Sequence, residues 1–225
     1  MSDLAASNDR VARRVVIAVD GPAASGKGTI ARALADHFKL PHMDTGALYR
    51  AVALNLWRWG GDPASEFEAV RACEDIGSNP NDPELRSEPV SKIASSISTY
   101  PAVRAALLDR QREFAAQAGG AVLDGRDIGT VIAPQADAKL FVTASAEVRA
   151  QRRVRELLGR GMPAHYADVL LDLHSRDERD TGRAAAPLFQ HDDADLLDNS
   201  DLTIDQGIAR SVELVEARLK ASRAG

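Results

Sequence analysis

The chain has 225 residues, of which 44% are hydrophobic and 27% are charged, and its formal net charge is −5. This composition is typical of a globular protein with one sizeable core. The negative charge argues against a general nucleic-acid binder. No apolar run approaches the roughly 18 residues that a membrane span needs, and the N-terminus lacks the basic-then-apolar pattern of a secretion signal. We therefore expect neither nucleic acid nor membrane as a partner.

The cysteine content, the N-terminal residues and the predicted helices each give one further expectation. Cys73 is the single cysteine, so an internal disulfide cannot form, which fits a reducing compartment and predicts a cytoplasmic protein. Residues 1–12 are polar and rich in alanine and predict a flexible N-terminal tail. The apolar stripes of the predicted helices are accounted for by the core, so we expect a monomer.

The first predicted elements alternate between strand and helix. Residues 14–20 (RVVIAVD) form a β-branched apolar run that ends at glycine, as a buried parallel strand does. A helix is predicted from about Lys27, because apolar residues recur every four positions at Ile30, Leu34 and Phe38. Residues 42–44 predict a second strand, and Thr45 is expected to cap the next helix, whose apolar residues are Leu48, Val52 and Trp57.

Residues 60–92 contain many glycines and prolines and little periodicity, and they predict an irregular insertion with one short helix at 66–74. A helix is expected from Pro101 to about residue 118, where two glycines end it. Further buried strands are predicted at 121–124 and 138–143. The insertion and this helix separate the second and third predicted strands.

The last part of the chain predicts two arginine-rich helices between 145 and 183, a fifth strand at 194–198 and a closing helix. Eight arginines lie between Arg149 and Arg183, which in an acidic protein indicates a small anionic ligand. Thr203 and Gln206 have the spacing of a capping box at the start of the closing helix. Strands that alternate with helices predict an α/β fold with a five-stranded parallel sheet and helices on both faces.

The loop after the first strand has the composition of a phosphate-binding loop. Glycines let the backbone wrap a phosphate, and the helix N-terminus adds a favourable dipole. Lys27 would reach the β- and γ-phosphates of a donor nucleotide, and Thr29 would lie near Mg²⁺ and the β-phosphate, because Gly28 occupies the usual Ser/Thr position. The loop predicts a P-loop NTPase fold that binds a nucleoside triphosphate through Gly21, Pro22, Ala23, Ala24, Ser25, Gly26, Lys27, Gly28 and Thr29.

Two polar segments follow the second and third predicted strands: DTGALYR begins at Asp44 and DGRDIGT begins at Asp124. Because the carboxyl ends of neighbouring parallel strands line one crevice, both segments should face the phosphate loop. Their aspartates and arginines suit a second phosphorylated ligand and a metal. Helix capping or turn formation is the alternative for either aspartate alone.

These motifs, with RDERDTGRAAAPL from Arg176 to Leu188, resemble those of bacterial-type cytidylate kinases. The resemblance covers residues 15–219 in the same order. It implies a nucleoside monophosphate kinase that transfers the γ-phosphoryl group of ATP to CMP or dCMP with Mg²⁺. A P-loop kinase for another acceptor, such as UMP, AMP or a small metabolite, is the alternative, and a nucleotide-dependent switch is a third possibility.

The resemblance also implies residue roles. Arg50, Arg126 and Arg183 match positions that hold the acceptor phosphate, and Thr45, Arg176 and Asp180 match positions that hold the pentose. The positions that match cytosine recognition are Ser95, Arg104 and Asp127, and Asp44 falls beside the metal and phosphates. We expect Lys27, Arg126 and Arg183 to be the catalytic residues.

The residues themselves support part of this assignment. Arg176, Asp180 and Arg183 are spaced i, i+4, i+7, which predicts one helix face, although a solvated ladder of ion pairs has the same pattern. Arginine and serine can donate to the cytosine carbonyl and ring nitrogen, while a carboxylate accepts from its amine. These donors and acceptors would distinguish cytosine from uracil.

The domain organisation follows from these motifs. Residues 13–225 are expected to form one kinase domain, with core segments 13–59, 98–148 and 184–225. The acceptor-binding insertion covers about 60–97 and a helical lid about 149–183. In the resembling enzymes the insertion is longer and carries strands. Here residues 75–90 are short and proline-rich, which predicts a trimmed acceptor lobe.

Overall fold

The computed structural model describes residues 14–76 and 82–224. Its centre is one sheet of five parallel strands in the order β2-β3-β1-β4-β5. The strands are β1 (Val15–Asp20), β2 (His42–Asp44), β3 (Gly120–Gly125), β4 (Ala138–Thr143) and β5 (Asp195–Asp198). The predicted five-stranded parallel sheet is confirmed. The expected N-terminal tail, residues 1–12, lies outside the described residues.

Eight α-helices connect and cover these strands within the described ranges. They are α1 (Lys27–Phe38), α2 (Thr45–Trp59), α3 (Glu66–Arg71), α4 (Glu88–Ile97), α5 (Pro101–Ala116), α6 (Ala146–Gly159), α7 (Tyr166–Gly182) and α8 (Ile204–Ala224). A 3-10 turn at Pro83–Arg86 precedes α4, and a π-helical turn at Ile128–Ile132 follows β3. None of these helices is both long and apolar enough to cross a membrane.

The core has one cluster on each face of the sheet because successive strand side chains point to opposite sides. On one face, Ile17 and Val19 of β1 pack with α1 and α8. On the other, Val16 and Ala18 pack with Leu123 of β3 and with residues of α5 and the π-helical turn. Every residue of β1 from 16 to 20 is buried, as expected for a central parallel strand.

A third cluster joins α2 to the insertion. Val52 and Leu56 of α2 pack against Val90 and Ile97 of α4, and all four side chains are completely buried. The insertion therefore has its own apolar contacts and is attached to the core through α2 and α5.

The start of α2 differs from the sequence prediction. Asp44, not Thr45, is the N-cap, and its carboxylate accepts a hydrogen bond from the Ala47 amide at 3.1 Å. The Thr45 hydroxyl instead donates to the Asp124 carbonyl oxygen at 2.9 Å, across the β2–β3 pair. Thr45 is therefore used to join α2 to β3, and the preceding aspartate supplies the cap.

Two other predictions of local structure were wrong. Trp57 was assigned to the apolar stripe of α2 but is 51% exposed, because Leu56 takes the buried position in the last turn. Arg183 was placed on one helix face with Arg176 and Asp180, but α7 ends at Gly182 and Arg183 has an extended backbone. The capping box of the closing helix is confirmed by two hydrogen bonds between Thr203 and Gln206, of 2.9 and 3.2 Å.

Candidate active site

The phosphate loop connects the end of β1 to the first turn of α1. Gly26 is the N-cap of α1 and has a left-handed backbone with φ of 92°, and a Cβ at this position would lie 3.0 Å from Asn199 Nδ2. At Gly21, a Cβ would lie 2.0 Å from the Val142 carbonyl oxygen. Both positions therefore require glycine, and the loop can wrap closely around the N-terminus of α1.

The side chain of Lys27 lies in the first turn of α1, half-buried, with Nζ 3.4 Å from the Pro22 carbonyl oxygen. Burial and, second, the Arg126 guanidinium lower the pKa of Lys27 to about 8, while nearby carboxylates work in the opposite direction. These carboxylates belong to Asp44, Asp124 and Asp180. A bound polyphosphate would favour the protonated ammonium group, because it places further negative charge beside it.

A cavity of about 320 Å³ lies at the carboxyl edge of the sheet, beside the phosphate loop. The loop contributes Ala23, Ala24, Lys27 and Gly28 to its wall. All ten side chains predicted to bind the acceptor nucleotide line the same cavity: Asp44, Thr45, Arg50, Ser95, Arg104, Arg126, Asp127, Arg176, Asp180 and Arg183. Residues that are up to 139 positions apart in the sequence, Asp44 to Arg183, thus share one space with the phosphate loop.

The other residues of the loop are not among those that line the cavity. Thr29 is exposed in the first turn of α1, with its hydroxyl 3.5 Å from Arg32 Nη2, and it is not part of the described cavity lining. Gly21, Pro22, Ser25 and Gly26 form the body of the loop. The predicted contact between Thr29 and Mg²⁺ stays a prediction.

The arginines predicted to hold the acceptor phosphate face carboxylates. Arg50 Nη2 lies 2.7 Å from Asp44 Oδ2, and Arg126 Nε lies 2.7 Å from Asp180 Oδ2. Arg183 Nη2 is 3.6 Å from Asp127 Oδ1. Two of their nitrogens, Arg50 Nε and Arg183 Nη2, are buried and have no hydrogen-bond acceptor among the described residues. These nitrogens are positioned to donate to a ligand, because a buried donor without an acceptor is costly.

The charges in this cluster shift the pKa of each carboxylate. Burial works to raise the pKa of Asp44, but Arg50, Lys27 and the Ala47 amide together outweigh it, so this pKa lies below its ordinary value. Burial also works to raise the pKa of Asp180, but Arg126, Arg183 and Lys27 together outweigh it, so this pKa is lowered as well. Burial raises the pKa of Asp127 despite the nearby arginines. Asp44 and Asp180 are therefore firmly ionised partners of the arginines.

The residues predicted to bind cytosine and the pentose come from different elements of the fold and line the same cavity. Arg104 of α5 forms a hydrogen-bonded ion pair with Asp127. Ser95 of α4 accepts a hydrogen bond of 2.6 Å from Arg179 Nη1 of α7. Arg176 Nε lies 2.8 Å from Asp172 Oδ2, one turn earlier on the same helix. The structure therefore brings all predicted acceptor residues together, whereas their roles stay predictions.

Sequence reasoning missed several residues at this edge of the sheet. Arg153 of α6 pairs with Glu88 of α4, and Arg179 pairs with Ser95, so the two arginine-rich helices contact the insertion above the cavity. The arginine content predicted an anionic ligand, but it did not show which arginines face α4. Asp20, at the end of β1, was also missed, although a carboxylate directly before a phosphate loop is a signal that could have been followed.

A phosphate loop at the end of the first strand of a parallel sheet, with α1 behind it, defines the P-loop NTPase fold. The same cavity is lined, opposite the phosphate loop, by arginines and aspartates that suit a second, phosphorylated ligand. This combination is typical of a P-loop kinase with a phosphorylated acceptor. The crystal structure of an uncharacterized protein from Eubacterium ventriosum supports the fold: its TM-score is 0.55 at 12% identity, covering 91% of this chain and 99% of that one.

The sequence model of the family described as cytidylate kinase matches residues 17–217. A cytidylate kinase of Xanthobacter autotrophicus is 58% identical over 206 residues, which cover 91% of this chain and 98% of the relative. A cytidylate kinase of Methylocella silvestris is 51% identical over 212 residues, covering 94% and 98%.

The chain belongs to the cytidylate kinase family. It is a nucleoside monophosphate kinase that transfers the γ-phosphoryl group of ATP to CMP or dCMP, with Mg²⁺ as the accompanying ion.

Proposed function

We propose that the cavity at the carboxyl edge of the sheet carries out this transfer, with ATP at the phosphate loop and the acceptor phosphate held by Arg50, Arg126 and Arg183. The observation that carries this proposal is the shared cavity: Lys27 and the three arginines line one space of about 320 Å³. Two anionic ligands can therefore meet there, with the transferred group between them.

The loop from Gly21 to Thr29 binds the ATP phosphates in this proposal. Its main-chain amides and the N-terminus of α1 supply partial positive charge, and Lys27 supplies a full one. The pKa of about 8 for Lys27 supports this role, because the ammonium group lies in a desolvated wall where a phosphate would stabilise its charged form.

In this proposal the acceptor phosphate takes the place of the aspartate carboxylates that pair with the arginines in the structure. Arg50 and Arg126 already have the geometry of charge-assisted pairs, at 2.7 Å from Asp44 and Asp180. A phosphate presents further oxygens to the same guanidinium groups and to the unsatisfied donors Arg50 Nε and Arg183 Nη2. Arg126 and Arg183 would then also stabilise the charge that develops on the transferred group.

Recognition of the nucleoside uses the remaining residues of the cavity. Asp127 accepts from the cytosine amine, while Arg104 and Ser95 donate to its carbonyl and ring nitrogen. Thr45, Arg176 and Asp180 contact the pentose. Ser95 and Arg104 already have protein partners, Arg179 and Asp127, so binding exchanges these contacts for contacts to the ligand.

The residues at the phosphate loop fit Mg²⁺, which prefers oxygen ligands and keeps several waters. A Cβ at Gly28 would lie 3.6 Å from Asp124 Oδ2, which places a carboxylate beside the first turn of α1. Thr29 offers a hydroxyl in the same turn, and Asp44 ends the neighbouring strand. Bound Mg²⁺ would neutralise part of the triphosphate charge, while Lys27 and the arginines align the two ligands.

The helices α6 and α7 act as a lid in this proposal. They carry Arg153 and Arg179, which contact Glu88 and Ser95 of the insertion. When the lid and insertion meet over the cavity, water is excluded and cannot accept the phosphoryl group. No dedicated general base is required, because a monophosphate is already an anion at neutral pH.

We further propose a cytoplasmic monomer with one kinase domain, residues 13–225, that binds no nucleic acid. One chain supplies both halves of the cavity, which supports a monomer. The net charge of −5 supports the absence of a nucleic-acid partner. A single cysteine, Cys73, whose pKa is raised by burial to about 11, suits a reducing compartment.

An acceptor panel tests the proposed function. With ATP and Mg²⁺, ADP release is measured with CMP, dCMP, UMP, AMP or shikimate as acceptor. We expect CMP and dCMP to give the highest kcat/KM, because the cavity offers an acceptor for the cytosine amine at Asp127. Higher activity with AMP or shikimate than with CMP would contradict the proposal.

A further inference from the structure

Asp20 has none of the roles described above, yet it is buried between the phosphate loop and the segment that carries Arg126 and Asp127. It is the last residue of β1, directly before the phosphate loop, and is only 7% exposed. Its Oδ1 accepts a hydrogen bond from the Ile128 amide at 2.8 Å, and its Oδ2 accepts one from the Gly129 amide at 2.8 Å. One carboxylate of β1 thus binds two successive amides of the segment that follows β3.

These two amides begin the π-helical turn Ile128–Ile132. The residue at the N-cap of the turn, Asp127, makes no side-chain hydrogen bond to it. An aspartate at an N-cap ordinarily satisfies the first amides with its own carboxylate. Here the carboxylate of Asp20, on β1, accepts the hydrogen bonds from these first amides. The Asp127 carboxylate is therefore available to face Arg104 and Arg183 in the cavity.

We propose that Asp20 is a positioning residue that fixes the segment from Gly125 to Gly129 and so directs Arg126 and Asp127 into the cavity. The inference rests on the proposed function, because it assigns to Asp20 the orientation of residues proposed to bind the acceptor. Asp20 itself touches neither nucleotide. It acts through the two amides that anchor the residues directly after Arg126 and Asp127.

The requirement for a carboxylate follows from the hydrogen-bond geometry. Two amides point at the side chain of residue 20, and a carboxylate can accept from both, whereas an asparagine has one acceptor oxygen and a donor amide group. The space for a side chain at position 129 is also small, because a Cβ on Gly129 would lie 3.4 Å from Asp20 Oδ2 and 3.1 Å from Lys139 Cδ. The turn therefore fits closely between β1 and β4.

The burial of Asp20 is costly, which supports a specific role. Desolvation raises its pKa to about 6, although the bonds from Gly129 and Ile128 work to lower it. Asp127 raises this pKa further, while Arg126 lowers it. An apolar side chain would avoid this cost, but it would leave both amides of the turn without an acceptor.

The test compares Asp20→Asn with Asp137→Asn. Asp137 is a matched control, because its Oδ2 accepts a hydrogen bond of 2.9 Å from the Val16 amide at the opposite end of β1. We expect Asp20→Asn to raise the KM for CMP roughly tenfold, as loss of a buried hydrogen bond does, and to leave the KM for ATP unchanged. Asp137→Asn should leave both KM values unchanged.

A double-mutant cycle shows whether the effect of Asp20→Asn on the use of CMP depends on Asp127. If Asp20 acts through Asp127, Asp20→Asn should lower the preference for CMP over UMP in the wild-type background and change it little in an Asp127→Ala background. Equal effects in the two backgrounds, or a larger change in the KM for ATP than in that for CMP, would overturn the inference.

The outcome separates this inference from the proposed function. If Asp127→Ala and Arg126→Ala leave CMP binding unchanged, the proposed function fails; if they weaken it and Asp20→Asn does not, only the positioning role fails. Should Asp20→Asn not fold, amide hydrogen exchange on the wild-type enzyme remains decisive. The Ile128 and Gly129 amides should be as protected as those of β1, and rapid exchange at both would overturn the inference.

Discussion

The two halves of the active site are built in different ways. The phosphate-loop half consists of nine consecutive residues, and its shape depends on backbone conformation at Gly21 and Gly26. The acceptor half consists of charged and hydroxyl side chains from β2, α2, α4, α5, the segment after β3, α7 and the residue that follows α7. The first half is preformed by local geometry, whereas the second depends on packing between distant parts of the chain.

This difference has a consequence for how each half binds its ligand. The main-chain amides of the loop need no side-chain partner to be displaced, because the loop conformation is set by the backbone at Gly21 and Gly26. The arginines of the acceptor half are held by Asp44, Asp127 and Asp180, so the acceptor nucleotide must compete with these carboxylates. We therefore expect substitutions in the first half to reduce turnover for every acceptor, and substitutions of the residues proposed to contact the base in the second half to affect selectivity.

The largest effect is expected for Lys27→Ala. Loss of the only side-chain cation of the loop should lower kcat by roughly 10²–10³, as removal of one preorganised charge in an active site does, with the fold intact. A coupled assay of ADP release measures the change, and circular dichroism checks the fold. Lys220→Ala is the control, because Lys220 is an exposed residue of α8 paired with Glu216. Near-normal turnover in Lys27→Ala would exclude its role.

A smaller and more selective effect is expected for Asp127→Ala. The variant loses the acceptor for the cytosine amine, at a cost of about 1–3 kcal/mol, or roughly 5–150-fold in kcat/KM for CMP. UMP has no such amine, so its kcat/KM should fall less. Parallel assays with CMP and UMP measure the ratio. Equal losses with both acceptors would show that Asp127 does not read the base.

The two halves also differ in how well the sequence predicted them. The loop from Gly21 to Thr29 was found as one motif, because its function depends on residues that are neighbours in the chain. The first strand was predicted for the same local reason, because residues 14–20 form a short apolar run that ends at glycine. The acceptor residues were assigned by their resemblance to a family, since no local pattern brings Arg50 and Arg183 together.

Two errors and one omission in the prediction involve tertiary contacts, whereas the placement of Arg183 on α7 was wrong because that helix ends at Gly182. Thr45 has the composition of a cap, but its hydroxyl contacts Asp124 of the neighbouring strand, and Asp44 caps the helix. Trp57 continues an apolar stripe, but Leu56 takes the buried position. The carboxylate of Asp20 binds amides 108 and 109 residues later in the chain, a pairing that no spacing rule predicts.

Binding of a bisubstrate compound, adenosine and cytidine joined at their 5′ positions by a chain of phosphates, tests most directly whether the two ligands share one cavity. In isothermal titration calorimetry we expect one molecule to bind per chain, roughly 10²-fold or more tighter than ATP, because each half raises the effective concentration at the other. Saturating CMP should weaken this binding. Affinity no higher than that of ATP, unchanged by CMP, would contradict the account.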